Sequence, residues 1–395
     1  MYYFIRNNVN YKREENEDEV KYFKNNEELK NEKDKAFTEN EFKVEIKNEL
    51  HNFFGHYENI VLFIGAGGSI VGEKMDPNYG KTMKELAKLV KESLDGEEFY
   101  SIKQLANRCK FEIDKKGDYN LEDFLSKLQA YLNFAPTKEK DKIEKSHERI
   151  LQTIIENTSY DYDENIFKHG TLIKQLNDLL TSPNRLSIVT TNYDTVIEQS
   201  AYGLRYTVFD GFTFSDRPVF DLDMFNWNLS RNIDSVVSKK EMYKKNVIEL
   251  LKIHGSLTWQ FENDEIVRRE KCAIKKPLMI FPSSNKYMQT YTEPYFELFT
   301  KFQELINKKN TLLITTGFSF ADTHISKMIL QAIKTVPSLS VLFCDYTINL
   351  DSEEDNENIQ ALKALMNKSY NIAFLKATID TDLTEYLSLG GVEND

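Results

Sequence analysis

The chain has 395 residues, of which 41% are hydrophobic and 29% charged, with a formal net charge of −12. That length suggests two ordinary domains or one large domain with insertions, and the apolar share excludes a disordered, collagen-like or low-complexity chain. The acidic balance speaks against direct nucleic-acid binding, because phosphate recognition needs a basic surface. Cys109, Cys272 and Cys344 stand singly with no C-x-x-C. No structural zinc site or redox pair is therefore expected, and three odd cysteines fit a reducing compartment. There is no secretory signal at the N-terminus and no run of about 18 apolar residues, so the expectation is a cytoplasmic protein off the membrane.

Residues 1–50 read as a charged N-terminal arm and a possible interaction segment. Positions 11–50 hold 9 basic and 13 acidic residues, a density that cannot bury much surface by itself. Apolar residues at Phe42, Val44, Ile46, Leu50 and Phe53 predict order from about Glu41. Residues 51–395 then read as one nucleotide-binding domain. Asn59–Ile64 is a short, continuous apolar run behind its first residue, ended by Gly65, the pattern of a strand buried on both faces of a parallel sheet. Helical spacing follows at Lys81–Leu94, Ser101–Cys109, Leu121–Leu132, Lys138–Glu156 and Leu172–Leu180. A large helical insertion is thus expected over about 81–181.

Arg185–Thr190 is a second buried-type strand, followed by a helix at Asp194–Tyr202. Residues 205–248 read as irregular. Val247–Ile253 is a third strand, 261–276 a polar surface excursion, and Leu278–Phe281 a short strand. Glu293–Lys308 is an amphipathic helix, Thr311–Thr316 a strand, and a helix runs from beyond Gly317 to about Ala332. Ser338–Cys344 is the next strand and Ile359–Met366 the next helix. Strands alternating with helices predict an α/β fold: a Rossmann-like doubly wound parallel sheet, whose ligands bind beyond the carboxyl ends of the strands.

Unusual residues gather at those ends. Gly65-Ala66-Gly67-Gly68-Ser69 can bring backbone N–H groups to an anion, or can be a plain strand-to-helix turn. Thr190-Thr191-Asn192-Tyr193-Asp194 can aim an amide and a carboxylate at one ligand, or can cap a helix. His254-Gly255 ends a strand, where the imidazole can exchange a proton near neutral pH or serve the core. Gly317-Phe-Ser319-Phe-Ala-Asp322-Thr-His324 is a second phosphate-type turn, with Asp322 alternatively a helix cap. Asp345, at the next strand end, can bind a ribose hydroxyl or belong to a turn.

The order of these motifs resembles the sirtuin family: G-A-G-x-S at Gly65–Ser69, T-x-N-x-D at Thr190–Asp194, H-G at His254–Gly255 and G-x-S at Gly317–Ser319. The resemblance spans roughly residues 55–350. The chain departs from the protein-deacylating sirtuins in lacking their zinc cysteines and in having Gly72–Tyr79 where G-I-P-D-F-R is expected. About sixty residues also separate Asn192 from His254, a longer gap than in those deacylases. Asn120-Leu-Glu-Asp-Phe-Leu125 and Gly317–Ile325 look like the bacterial sirtuin-like group of antiphage defence.

That resemblance implies an NAD+ hydrolase that releases nicotinamide and ADP-ribose and depletes cellular NAD in abortive infection. It implies NAD+ as substrate and no zinc. Gly65, Ala66, Gly67 and Ser69 would cradle phosphates, with Thr191, Gly317, Ser319 and Asp322 also binding the dinucleotide. Asn192 would orient ribose or water, His254 would take a proton, and Asp194 would stabilise positive charge on the ribose. A homo-oligomer and a separate partner such as a HerA-type ATPase are expected, since the chain stops soon after the sirtuin-like part. The competing readings are an NAD-dependent protein deacylase and a non-catalytic subunit that binds NAD or ADP-ribose.

Overall fold

The computed structural model describes residues 1–16, 19–31, 36–55, 57–71, 80–114, 117–160, 162–232, 241–270, 277–279, 294–350, 353 and 355–388. Cys272, all of Gly72–Tyr79, the second half of the Leu278–Phe281 strand and Glu293 lie outside them.

The chain opens with four strands, β1 (Tyr2–Arg6), β2 (Val9–Asn16), β3 (Glu19–Lys24) and β4 (Glu27–Glu28), and helix α1 (Glu39–Phe53). Next come β5 (Asn59–Ile64) and the helices α2 (Met83–Ser93), α3 (Ile102–Arg108), α4 (Leu121–Leu132), α5 (Thr137–Thr158) and α6 (His169–Asp178). The middle of the chain holds β6 (Leu186–Thr190), α7 (Val196–Gly203), β7 (Thr207–Phe209), β8 (Ser230–Asn232), β9 (Glu241–Tyr243), β10 (Val247–Lys252), β11 (Trp259–Glu262) and β12 (Glu265–Arg268). It closes with α8 (Tyr295–Asn307), β13 (Thr311–Thr316), α9 (Thr323–Thr335), β14 (Ser340–Asp345), α10 (Glu357–Met366), β15 (Ile372–Lys376) and α11 (Leu383–Leu387).

Among the described residues the main sheet has eleven strands in the order β4-β3-β2-β1-β15-β14-β13-β5-β6-β10-β7. From β15 to β7 every pairing is parallel. β5 is the first parallel strand in the chain. β6 lies on one side of it and β13 on the other, so the strand order reverses there. This is the doubly wound α/β arrangement, and a reversal point is where such sheets leave a crevice. One face of the sheet is covered by α1, α6, α7 and α11, the other by α8, α9 and α10, giving two large apolar cores. The helical insertion over α2–α5 has its own core around Leu86, Val90, Leu105, Phe124, Leu128 and Ile150. Capping boxes at Thr82–Glu85 and Ser101–Gln104 start α2 and α3, and the Asn120 side chain starts α4. Each satisfies orphan N–H groups at a helix start.

The N-terminal stretch corrects the expectation of a solvated arm. β1 pairs antiparallel with β15 and carries β2, β3 and β4 outward. Phe42 of α1 packs ring against ring with Tyr3, Tyr11 and Tyr22, and Phe4 and Phe37 extend the cluster through Tyr11 and Tyr22. The physical reason is spacing: Phe4, Tyr11 and Tyr22 face the core, while most charged residues between them stay toward the water. Thr38 and Glu41 form the capping box that starts α1. Two further expectations change. The irregular 205–248 stretch holds β7, β8 and β9, and the 261–276 excursion begins as the β11–β12 hairpin, with Trp259 buried.

Candidate functional site

A cavity of about 620 Å³ opens beyond the carboxyl ends of β5, β6, β10 and β13. Its size suits a bound small molecule or cofactor. Ala66, Ser69, Thr191, Asn192, Asp194, His254, Gly317, Ser319 and Asp322 all line it. Nine of the eleven predicted site residues therefore meet around one space.

Gly65 and Gly67 do something else. Gly67 donates its N–H to Gly317 O at 2.9 Å, and Gly65 donates to Thr316 O at 3.0 Å. A Cβ on Gly65 would sit 2.5 Å from Gly317 O, and one on Gly317 would sit 2.2 Å from Gly68 N. Gly317 also has φ of +62°, a conformation that costs a residue with a Cβ. These glycines let the turn after β5 and the turn after β13 close onto each other. Their N–H groups are spent on that contact, which corrects the expectation that both would face a phosphate. Ala66 and Ser69 form the wall in their place.

Ser69 links the first two motifs. Its Oγ accepts from Asn192 Nδ2 at 2.7 Å and donates to Asp194 Oδ2 at 2.6 Å. Asp194 Oδ1 in turn accepts from Val196 N at 3.0 Å, opening α7. The Asn192 backbone N–H is held by Thr190 Oγ1 at 3.0 Å, and Thr190 reaches Ile64 O of β5 at 2.9 Å. Asn192 lines the cavity with its amide nitrogen tied to Ser69, which leaves Oδ1 as its open acceptor. That oxygen is buried and has no protein partner, in a side chain only 8% exposed. A buried acceptor left open is costly, so it marks a place where a ligand donor or a water belongs.

His254 is 4% exposed. Its Nε2 faces Asp322 Oδ2 at 3.7 Å, too long for a hydrogen bond but close enough for the charge to be felt. Asp322 plays both roles foreseen for it. Its Oδ1 caps α9 by accepting from His324 and Ile325 N–H groups, while its other oxygen faces the imidazole. Behind the first turn His169 is buried, and burial pushes its imidazole down to about 4, although the Asp194 charge and the Gly68 backbone pull the other way. Burial, with the Asp194 charge adding to it, pushes the Tyr160 phenol well up. Asp345 is not among the lining residues, and burial raises its carboxyl to about 6 while it accepts from Tyr346 N.

The helical insertion supplies a wall that motif reading missed: Lys81, Asn120, Glu122, Asp123 and Tyr160, with Lys327 joining from α9. The Asn120–Leu125 phrase was visible in the sequence, but only as a helix start and a family likeness. Lys81 and Lys327 bring two cations to a cavity otherwise rich in carboxylates.

Residues 186–374, from β6 through β15, match the family model described as the SIR2-like domain. Three of the four motifs fall inside that match, and the Gly65–Ser69 turn precedes it. No curated protein matches the chain. A solved structure titled "Structural Basis for the Mechanism and Regulation of Sir2 Enzymes" is similar over 87% of this chain and 96% of its own, at 11% identity and a TM-score of 0.35. No helix among the described residues is long and apolar enough to cross a membrane.

Proposed function

We propose that this chain hydrolyses NAD+ to nicotinamide and ADP-ribose. The observation that carries the proposal is the unpartnered Oδ1 of Asn192, on a cavity-lining side chain whose amide nitrogen is held by Ser69. The SIR2-like match over residues 186–374 supports the choice of NAD+ as substrate. The residues suit it: hydroxyls, an amide and an imidazole for ribose, and Lys81 and Lys327 for the pyrophosphate. The −12 net charge opposes an anionic ligand, so its attraction rests on these local cations.

In this reading the bond between ribose C1′ and the nicotinamide nitrogen breaks, and nicotinamide leaves with the electron pair. The ribose takes on oxocarbenium character, which the Asp194 carboxylate stabilises as a pre-organised charge. Asn192 Oδ1 accepts a hydrogen bond from a ribose hydroxyl or from the attacking water. Water oxygen bonds to C1′, and its proton passes to His254. The products are nicotinamide, ADP-ribose and a proton.

The likeness of Asn120–Leu125 and Gly317–Ile325 to antiphage sirtuin-like proteins supports a role in NAD depletion during abortive infection. Activity is then gated by assembly, as a homo-oligomer with a partner such as a HerA-type ATPase. Nicotinamide release from NAD+ by the purified chain, alone and with that partner, is the test. Asn192→Ala and His254→Ala should each lower release by about 10²–10³-fold while the melting curve is kept. Full activity in either variant would sink the role assignment. Turnover that depends on an acetylated peptide would point to a deacylase instead.

A further inference from the structure

A lysine lies buried directly behind the site. Lys252 ends β10, two residues before His254, and is 1% exposed. Its ammonium donates to Tyr193 O at 3.4 Å, to Asp194 O, and to Glu198 Oε1 at 3.0 Å. Glu198 lies in the first turn of α7, 8% exposed, and its second carboxylate oxygen has no partner. Burial pushes the Glu198 carboxyl up, and the Lys252 charge opposes that push.

A pair like this is hard to explain as a stability device. Removing two charges from water costs several kcal/mol per ion, and an apolar pair of similar volume often does as well or better. Every other position of β10 except Glu249 is apolar, and an aliphatic side chain at 252 would suit a strand buried along its whole length. The three acceptors share a location instead. Two are the carbonyls of Tyr193 and Asp194, in the turn that carries Asn192, and the third is on the helix which that turn opens. Lys252 thus ties the end of β10, with His254, to the end of β6, with Asn192 and Asp194. β6 and β10 pair in register up to Thr190–Lys252; past it the backbone bonds Ile253 N to Thr190 O and Leu257 N to Tyr193 O, each at 3.0 Å, join the two segments, and the Lys252 ammonium adds a side-chain tie to the same turn.

We propose that Lys252 is a positioning residue, which holds the Tyr193 and Asp194 carbonyls and Glu198 so that Asn192 and Asp194 stand in reacting geometry against His254. The proposal rests on the hydrolase reading. A small misplacement of reacting groups can cost about a hundredfold in rate.

The test compares the wild-type chain with Lys252→Met and with Lys252→Met/Glu198→Met. Thermal melting, hydrogen exchange of segment 191–199 and steady-state nicotinamide release are measured on each. The single variant should melt lower, because it strands the Glu198 charge, and the double variant should regain most of the loss. Both should lose exchange protection in 191–199. In both, kcat should fall about a hundredfold while KM stays within about threefold. A double variant with wild-type kcat, or with unchanged protection of 191–199, would overturn the proposal and leave the pair a merely structural one. A wild-type chain that releases no nicotinamide would overturn the hydrolase reading, while the exchange measurement still decides whether Lys252 holds the turn.

Discussion

The two halves of the main sheet are built on opposite rules. In β10 and β13 every residue is buried, and each strand stops at a polar turn that enters the cavity. In β2 only Tyr11 is fully buried, and the charged residues beside it pair at the surface, Lys12 with Glu14 and Arg13 with Glu15. Parallel strands covered on both faces have no solvent side on which to place chemistry, so the reactive groups gather where the strands end. The antiparallel extension has a wet face and a dry face, and it contributes an aromatic core. The difference teaches that the parallel half carries the candidate function, whereas the N-terminal half carries stability.

Four substitutions can break or sharpen that division. The largest effect is expected at Asn192. Replacing it with Ala should lower nicotinamide release by about 10²–10³-fold, the scale of losing one pre-organised polar group at a reacting centre, with little change in melting temperature. A large loss of fold would instead place Asn192 among the structural residues. Next comes Phe42→Ala in the N-terminal aromatic cluster. It should cost about 3–5 kcal/mol of stability, as other buried Phe truncations do, while kcat of the folded fraction stays the same. A changed kcat there would couple the two halves and end the division.

Asp345, at the end of β14, gives a smaller effect that depends on pH. Burial raises its carboxyl to about 6. The folded chain therefore holds more protons than the unfolded one between about pH 4 and pH 6, and stability falls as pH rises through that window. Asp345→Asn keeps the oxygen that accepts from Tyr346 N and removes the charge. It should be the more stable chain above pH 6 by about 3 kcal/mol and equal the wild type below pH 4. Urea titrations at pH 4 and pH 7 measure this, and parallel curves for the two chains would refute it. Smallest of all, Glu14→Ala at the exposed end of β2 should shift the melting temperature by no more than about 2 °C, because exposed ion pairs contribute little. A larger shift would mean that the surface pairs help to hold the extension.

Most strands of the parallel half were legible in the sequence. Asn59–Ile64 and Thr311–Thr316 are continuous apolar runs closed by glycine, and the structure makes them strands with those same bounds. The N-terminal strands were hidden because their apolar residues are aromatic and widely spaced among charges. Val9–Asn16 offers one buried residue in eight, and composition over such a window looks like a solvated tail. The β11–β12 hairpin was missed for a related reason. Its Asn263-Asp264 turn, in which both residues have positive φ, is a hairpin signal set in a polar stretch.

For the site, residue type and position at a strand end located Asn192, Asp194, His254, Ser69 and Asp322, because buried strands leave few polar residues at their ends. The sequence by itself thus determined which strands are buried, where they stop and which polar groups follow them, since each of these is written in a few consecutive residues. Tertiary structure alone decided how those groups are used. It spent the Gly67 N–H on Gly317, 250 positions away in the chain, and tied the Asn192 amide nitrogen to Ser69, which leaves its oxygen without a partner. It also brought Lys81 and Glu122 across from the helical insertion and set Lys252 beneath the turn it holds. The fate of a polar group depends on its nearest partner in space, and between residues so far apart in the chain that partner is chosen by packing.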